Sequence, residues 1–178
     1  MDAKVSVWKA NLNSGVIIGL LGVVFTLVTY FFDLSLKNWV ALIWLPIYIV
    51  ALVLAIRSYR ANHMKGFLSY GQSLGAGVVI VLYYAVISSV FAYILYSYID
   101  PGLIEKMMAV AEQKILDRGL PEGAVEQAMN FQEKIMKPWI LSISGIFNSM
   151  IMGTVLVLII SIFTRKEGNP LIDEAIEE

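Results

Sequence analysis

Four long apolar segments, separated by polar ones, dominate the pattern of residues along the chain. They cover residues 15–32, 39–56, 69–98 and 139–163, and none of them contains Asp, Glu, Lys, Arg or His. Roughly 20 apolar residues in a helix are enough to cross about 30 Å of hydrocarbon. Each segment therefore predicts a membrane-spanning helix. The third is the longest, and we expect the other segments to fold against it.

The third apolar segment carries signals for where its helix begins and ends. Ser69 and Gln72 have the spacing of a capping box, in which each side chain bonds a free backbone N–H of the first turn. Asp100 and Pro101 end this helix and begin another. We therefore predict a helix from about Ser69 to Tyr98. Three tyrosines near its end are expected to form an aromatic belt at the membrane interface: Tyr93, Tyr96 and Tyr98.

The long polar segment at 100–137 has helical periodicity. Its apolar residues recur on one face in two stretches, which Gly119 and Pro121 separate. The first stretch contains Leu103, Ile104, Met107, Met108, Ala111 and Ile115, and the second contains Val125, Ala128, Met129, Ile135 and Met136. This spacing predicts two amphipathic helices. We expect the pair to lie outside the membrane, with its apolar stripe along the bundle or the lipid interface.

The predicted fold class is all-α: an integral membrane four-helix bundle with an external amphipathic helix pair between spans 3 and 4. A polar, acidic tail follows at 164–178. The 178 residues are 58% hydrophobic and 15% charged, whereas a soluble domain carries about 25% charged residues. Lipid must therefore solvate much of the surface, and the length fits a single membrane domain over 1–178.

Charge and composition restrict the chemistry further. The net charge of −1 argues against a nucleic-acid partner. The chain has no cysteine, which excludes disulfides, thiolate metal sites and cysteine nucleophiles. It also lacks paired-histidine, G-x-S-x-G and phosphate-loop motifs, and no carboxylate lies inside a span. We therefore predict no catalytic, cofactor-binding or metal-binding residues and no cofactor.

The loop at 57–66 is the most basic part of the chain, with three Arg or Lys residues and no acid. Such loops stay in the cytoplasm under the positive-inside rule. With four spans, Lys4 and Lys9 before the first and Arg165 and Lys166 after the last fall on the same side. The sequence therefore predicts that both termini are cytoplasmic and that residues 100–137 lie outside.

Small residues recur at intervals of four within three of the predicted spans. This spacing places small side chains on one helix face, where a second helix can approach closely. Packing inside the bundle is the simpler interpretation, and a dimer seam is the alternative. The helix-packing candidates are Gly15, Gly19, Gly71, Gly75, Gly145, Ser149 and Gly153.

Four polar residues within the spans are candidates for intramembrane contacts: Gln72, Ser88, Ser89 and Asn148. Asn148 and the two serines lie at similar predicted depths in helices that run in opposite directions. A hydrogen bond between them would contribute about 0.5–1.5 kcal/mol. We therefore expect a structural bond between spans 3 and 4, with contact to a neutral solute as the alternative.

Two stretches around the third span resemble a known family. GFLSYGQ at 66–72 precedes the span, and YSYIDP at 96–101 ends it. Both are similar to bacterial membrane proteins catalogued as domain of unknown function 4199, which share the four-span layout and the amphipathic loop that follows. The resemblance implies a location in the bacterial cytoplasmic (inner) membrane, and it implies no activity and no catalytic residues.

These features predict a non-enzymatic integral membrane protein that acts as a scaffold, an assembly factor or an accessory subunit. The alternative is a small oligomeric transporter or channel for a neutral solute, since four spans alone enclose little space for a pathway. The expected partners are the lipid bilayer and either further copies of the chain or another membrane protein.

Overall fold

The computed structural model describes residues 6–37, 39–119 and 121–166. Lys4 and the predicted acidic tail beyond Lys166 lie outside these ranges. The described helices, in chain order, are α1 (Val7–Phe31), α2 (Val40–His63), α3 (Tyr70–Ile94), α4 (Gly102–Leu116), α5 (Glu122–Ile135) and α6 (Pro138–Thr164), and a π-helical turn (Leu95–Ile99) extends α3. Four of these helices are long and apolar enough to cross a membrane, namely α1, α2, α3 with its π-helical extension, and α6. The predicted four-span, all-α fold is confirmed.

Two spanning helices are longer than the apolar segments that predicted them. α1 begins at Val7 and α2 ends at His63, so each helix continues for about two turns past the first charged or polar residue. An apolar segment extends only as far as the hydrocarbon of the membrane. A helix can continue into the membrane interface, because its backbone hydrogen bonds remain satisfied there. Long cationic side chains such as Arg57 can then extend toward water.

α3 is the central helix of the bundle, and α1, α2 and α6 pack around it. Its predicted capping box is confirmed: Gln72 N–H donates to Ser69 Oγ at 3.3 Å, and Ser69 N–H donates to Gln72 Oε1 at 3.0 Å. Gly15 of α1 faces Tyr83 of α3, and Gly19 faces Ile87. The facing residues follow the same order along both helices, so α1 runs parallel to α3. The facing positions on α6 run in the reverse order, which makes α6 antiparallel to α3.

The end of the bundle that carries the 57–66 loop, here called the basic end, is closed by polar contacts. Arg60 Nη1 donates to the carbonyl oxygen of Thr164 at 2.9 Å, which satisfies a free carbonyl at the end of α6 and places a cation at the negative end of its dipole. The hydroxyls of Thr164 and Ser73 lie 2.8 Å apart. Leu68 and Lys166 form an antiparallel bridge through two backbone bonds of 2.8 Å. These contacts join α2, α3 and α6.

The hydrophobic core occupies the half of the bundle next to the basic end. Leu52 and Ile56 of α2, Ile80 and Val81 of α3, and Val157 of α6 are completely buried. Close packing between helices is the main source of stability inside a membrane, because lipid is as apolar as the side chains. This half of the bundle is therefore the part that helix packing stabilises most.

α4 and α5 form a helical hairpin at the opposite end, here called the hairpin end. α5 packs mainly against α4, and α4 joins the bundle at its first turn through the buried Leu103. Gly119, between the two helices, has a φ of +67°, a conformation that glycine adopts without steric cost. The predicted external helix pair is thus present. Its apolar stripe lies mostly within the hairpin, where Met108 and Met129 are half-buried.

Candidate functional site

The half of the bundle next to the hairpin end contains a cavity of about 320 Å³ between α1, α2 and α3, here called the α2-side cavity. Gly22, Thr26 and Thr29 line it from α1, and Ser35 of the following loop also reaches it. Leu103 of α4 contributes to its wall and is only 5% exposed. The loop and the first turn of α4 therefore form the wall of this cavity nearest the hairpin end.

Aromatic rings form one wall of the α2-side cavity. The ring of Trp44 lies 4.9 Å from that of Phe25 and 6.1 Å from that of Tyr84, with interplanar angles of 35° and 24°. Tyr48 stacks on the same tryptophan at 5.9 Å and 20°. Ring pairs at these separations attract each other beyond simple area burial. The rings of this wall therefore hold one another in place.

A second cavity of about 270 Å³ lies between α1, α3 and α6, here called the α6-side cavity. Ser142, Gly145 and Ser149 line it from α6, and Ser89 lines it from α3. A Cβ atom added at Gly145 would lie 3.3 Å from Ser89 Oγ, so the glycine allows the two helices to approach at this level.

The two cavities share four wall residues, namely Thr26, Ser88, Leu95 and Tyr96. We refer to both cavities together as the hydroxyl chamber. Leu95 and Tyr96 begin the π-helical turn, in which Asp100 N–H donates to the carbonyl oxygen of Leu95 at 2.8 Å. Such turns shift the register of side chains and occur often at functional sites. This one overlaps the YSYIDP motif at residues 96–99.

The hydroxyl groups of the chamber differ in their free hydrogen-bonding capacity. Thr26, Thr29 and Ser142 donate to backbone carbonyls of their own helices at 2.8–2.9 Å, so only their acceptor lone pairs are free. Ser88 Oγ is buried beside Tyr84 and faces Gly22, where an added Cβ would lie 3.2 Å from it. Its hydroxyl is therefore packed between α1 and α3 and is not exposed to the chamber.

No Asp, Glu, Lys, Arg or His lines either cavity among the described residues. An ion would have to give up its hydration without a counter-charge, which is very costly in a low-dielectric site. The described residues also contain no group of three or more His, Cys, Asp or Glu that could hold a metal ion. The arrangement suits an uncharged molecule with hydrogen-bonding oxygens.

The predicted small residues fall into three structural settings. Gly15, Gly19 and Gly153 lie against α3, and an added Cβ at Gly15 would be 2.5 Å from Tyr83 Cβ. Gly145 and Ser149 line the α6-side cavity. The expectation of packing inside the bundle is wrong for Gly71 and Gly75, because no atom of the described residues lies within 4 Å of an added Cβ at either position. They lie on a face of α3 that no other described helix covers.

The structure separates the four predicted polar residues. Ser88 and Ser89 line the hydroxyl chamber. Gln72 belongs to the capping box at the start of α3, and Asn148 is on the exposed face of α6. The predicted hydrogen bond between Asn148 and a serine of α3 is absent, and the chamber does not include Asn148 or Gln72. The rotation of α6 about its own axis directs Asn148 away from α3.

Several residues of the site were not predicted from the sequence. Tyr96 was assigned to the aromatic belt, but it is half-buried and lines both cavities. Trp44 lies in an apolar span where nothing in the local sequence distinguishes it from a lipid-facing residue, whereas Thr26 and Thr29 are the only threonines of the first span and this polarity was a signal that could have revealed them. Gly22, three residues after Gly19, continues the line of close contact between α1 and α3, and this spacing was a signal that could have revealed it.

Comparison with known proteins is informative at the level of the family. No curated protein and no solved structure matches the chain. A family described as protein of unknown function (DUF4199) matches residues 13–166, which include most of α1, the other three spanning helices, the hairpin and the chamber. This match covers most of the chain and agrees with the two motifs that flank the third span. The chain therefore belongs to the DUF4199 family of proteins of unknown function.

Proposed function

We propose that the protein is a non-enzymatic accessory subunit, scaffold or assembly factor in the bacterial cytoplasmic membrane, with its basic end in the cytoplasm. The observation that carries this proposal is the combination of a tightly packed basic half with a projecting hairpin. The packed half argues against passage of a solute through one copy, and the hairpin offers a surface outside the membrane.

The packed half is closed by apolar and polar contacts at successive levels. Val81 of α3 and Val157 of α6 are completely buried between those helices, and Leu52 of α2 is completely buried at the same core. Closer to the basic end, Arg60 and Thr164 join α2 to α6. A transporting copy would have to separate these contacts in each cycle, whereas an accessory subunit retains them.

The hairpin supports a role in protein contact. Leu116 at the end of α4 is 50% exposed and Phe131 of α5 is 63% exposed, although both belong to a polar part of the chain. Exposed aromatic residues are enriched among the residues that contribute most to binding between proteins. Neighbouring positions on α5, such as Gln127 and Glu133, are exposed and polar.

Site-specific photo-crosslinking tests the proposed contact. A photoreactive amino acid in place of Phe131 should give a discrete protein adduct in intact cells, and the same amino acid in place of Glu133 should give much less. Adducts of equal yield at both positions, or adducts to lipid alone, would refute a protein-binding role for this face.

The proposed orientation has a direct test, because the chain has no natural cysteine. Cysteines introduced at Ser35 or Ala124 should react with a membrane-impermeant thiol reagent in intact spheroplasts, whereas a cysteine at Ser58 should react only after lysis. Labelling of Ser58→Cys in intact spheroplasts, with protection of the other two, would invert the assignment.

The second candidate function is a small oligomeric transporter or channel for a neutral solute. The uncharged, hydroxyl-lined chamber is the observation that favours it. Purified protein in liposomes would then accelerate the passage of a small polyol, and Thr26→Val, which removes a hydroxyl from the wall of both cavities, would slow it. Equal permeation in liposomes with and without protein would leave the accessory role as the better interpretation.

A further inference from the structure

We propose that a second copy of this chain packs on the outer face of α6, so that two α6 helices lie side by side and parallel around Asn148. Three observations carry the proposal: an unpaired amide inside a spanning helix, a heptad of exposed residues around it, and the self-complementary chemistry of the amide. The proposal does not depend on the accessory role, because this face includes neither Phe131 nor any other residue of the hairpin.

Asn148 places an amide at membrane depth without a partner in its own chain. The residue is exposed on α6, and its side chain forms no hydrogen bond with any described residue. At roughly 1.5 Å per residue it lies about 15 Å along the axis from the start of α6 at Pro138, too far for a short side chain to reach the interface. The amide has two N–H donors and a carbonyl acceptor, and acyl chains satisfy none of them. We therefore expect this group to meet another protein helix.

Exposed residues around Asn148 recur with the heptad spacing of a coiled coil. Steps of four and three residues alternate along this heptad stripe, which consists of Ser144, Asn148, Ile151, Val155, Leu158 and Ile162. All six are exposed, and the four apolar ones are between 39% and 65% exposed. On the opposite side of the helix, Gly153 and Ile160 are buried in the bundle. The heptad stripe therefore faces away from α3, and no other described helix covers it.

The residue types on the heptad stripe favour a parallel pair of helices. Asn148, Val155 and Ile162 occupy the a positions of the heptad, and Leu158 occupies a d position. β-Branched residues at a with leucine at d favour two strands, and an asparagine at one a position fixes the register. Any apolar helix offers apolar residues at this spacing, so it is the exposed asparagine at an a position that marks the stripe as an interface.

A second copy fits this face because it brings the same amide to the same depth. Copies inserted in one orientation are related by a twofold axis along the membrane normal, so a residue on that axis meets its own counterpart. The N–H of one Asn148 amide can then donate to the carbonyl oxygen of the other. A different protein would need a suitable polar group at this one level to do the same.

Cysteine crosslinking tests where the second copy lies, because the chain has no natural cysteine. Ile162 and Phe163 are adjacent and are 54% and 77% exposed, but only Ile162 belongs to the heptad stripe. A disulfide requires Cβ atoms about 4 Å apart, so mild oxidation of native membranes should link Ile162→Cys into a species of twice the chain mass with roughly fivefold higher yield than Phe163→Cys. Ile151→Cys should exceed Met152→Cys in the same way.

The affinity of the pair tests the asparagine itself. Donor and acceptor dyes at Ser58→Cys, an exposed position near the end of α2, report association as energy transfer over a range of protein-to-lipid ratios. A hydrogen bond between membrane helices corresponds to roughly a threefold to thirtyfold change in affinity. Asn148→Ala should therefore weaken association by this factor. Asn148→Gln, which keeps the amide, should weaken it less, and Asn13→Ala, which removes an exposed amide from α1, should not change it.

Three results would overturn the proposal. The first is an equal disulfide yield for Ile162→Cys and Phe163→Cys. The second is a crosslinked product that contains a different protein, which would assign this face to another partner. The third is energy transfer that is absent at every protein-to-lipid ratio, or that Asn148→Ala and Asn13→Ala reduce equally.

Discussion

α3 and α6 pack through a reciprocal glycine–valine pair, which gives a stringent test of the packing. Val157 of α6 lies against Gly77 of α3, and Val81 of α3 lies against Gly153 of α6. A Cβ added at Gly153 would overlap Val81 Cγ1 and would lie 2.9 Å from Val81 Cγ2. A helical valine has one strongly preferred χ1 rotamer, so it cannot rotate away without cost. We therefore expect Gly153→Ala to force the two helices apart.

The change in the free energy of unfolding caused by Gly153→Ala has two opposing contributions. Overpacking by one methyl group costs about 1–3 kcal/mol, whereas replacing glycine by alanine inside a helix contributes up to about 1 kcal/mol in favour of folding. Gly75→Ala measures only the gain from replacing glycine by alanine in a helix, because an added Cβ at Gly75 has no described residue within 4 Å. The free energy of unfolding of Gly153→Ala should therefore lie about 1–3 kcal/mol below that of Gly75→Ala.

A double-mutant cycle then identifies the partner. Val81→Ala alone removes two packed methyl groups and should destabilise the bundle by about 1–3 kcal/mol. In the double variant the new methyl at position 153 occupies the space that the valine left, so its loss of stability should be smaller than the sum of the single losses by about 1–2 kcal/mol. Reversible unfolding in mixed micelles, followed by far-ultraviolet circular dichroism, measures all four proteins. Additivity within about 0.5 kcal/mol, or equal stabilities of Gly153→Ala and Gly75→Ala, would refute the predicted contact.

Three further predictions concern other parts of the molecule. Arg60→Ala should lower the free energy of unfolding by about 1–3 kcal/mol, because it removes a charged hydrogen bond to the carbonyl of Thr164, whereas Arg57→Ala, at an exposed position, should change it by less than about 0.5 kcal/mol in the same unfolding assay. Met129→Asp should increase limited proteolysis of the hairpin severalfold more than Gln127→Asp, because Met129 is half-buried and Gln127 is exposed, and equal cleavage would contradict this packing. Purified protein in liposomes should give no protein-dependent proton flux under a pH gradient, because the four predicted spans contain no Asp, Glu, Lys, Arg or His to relay protons. A robust flux that substitutions inside the spans abolish would contradict that prediction.

The features that the sequence alone determined are those with local causes. The number of spans follows from the length of uncharged apolar segments, because lipid does not tolerate unpaired polar groups. The start of α3 follows from Ser69 and Gln72, whose side chains bond the backbone within one turn. The hairpin helices follow from alternating apolar and polar faces, a pattern that exists only where one side of a helix meets water.

The rotation of each spanning helix about its own axis was decided only by the tertiary structure. These helices are apolar on all sides, so hydropathy does not distinguish the face that meets another helix from the face that meets lipid. Gly75 and Gly153 occur in similar small-residue patterns, yet one is open and the other is packed against Val81. Likewise the Ser88 hydroxyl is packed against Gly22 of α1, while Asn148 is exposed. The rotation of each helix is determined by dispersion contacts between small and branched side chains. The local sequence does not reveal it, because these contacts join residues that are far apart in the chain.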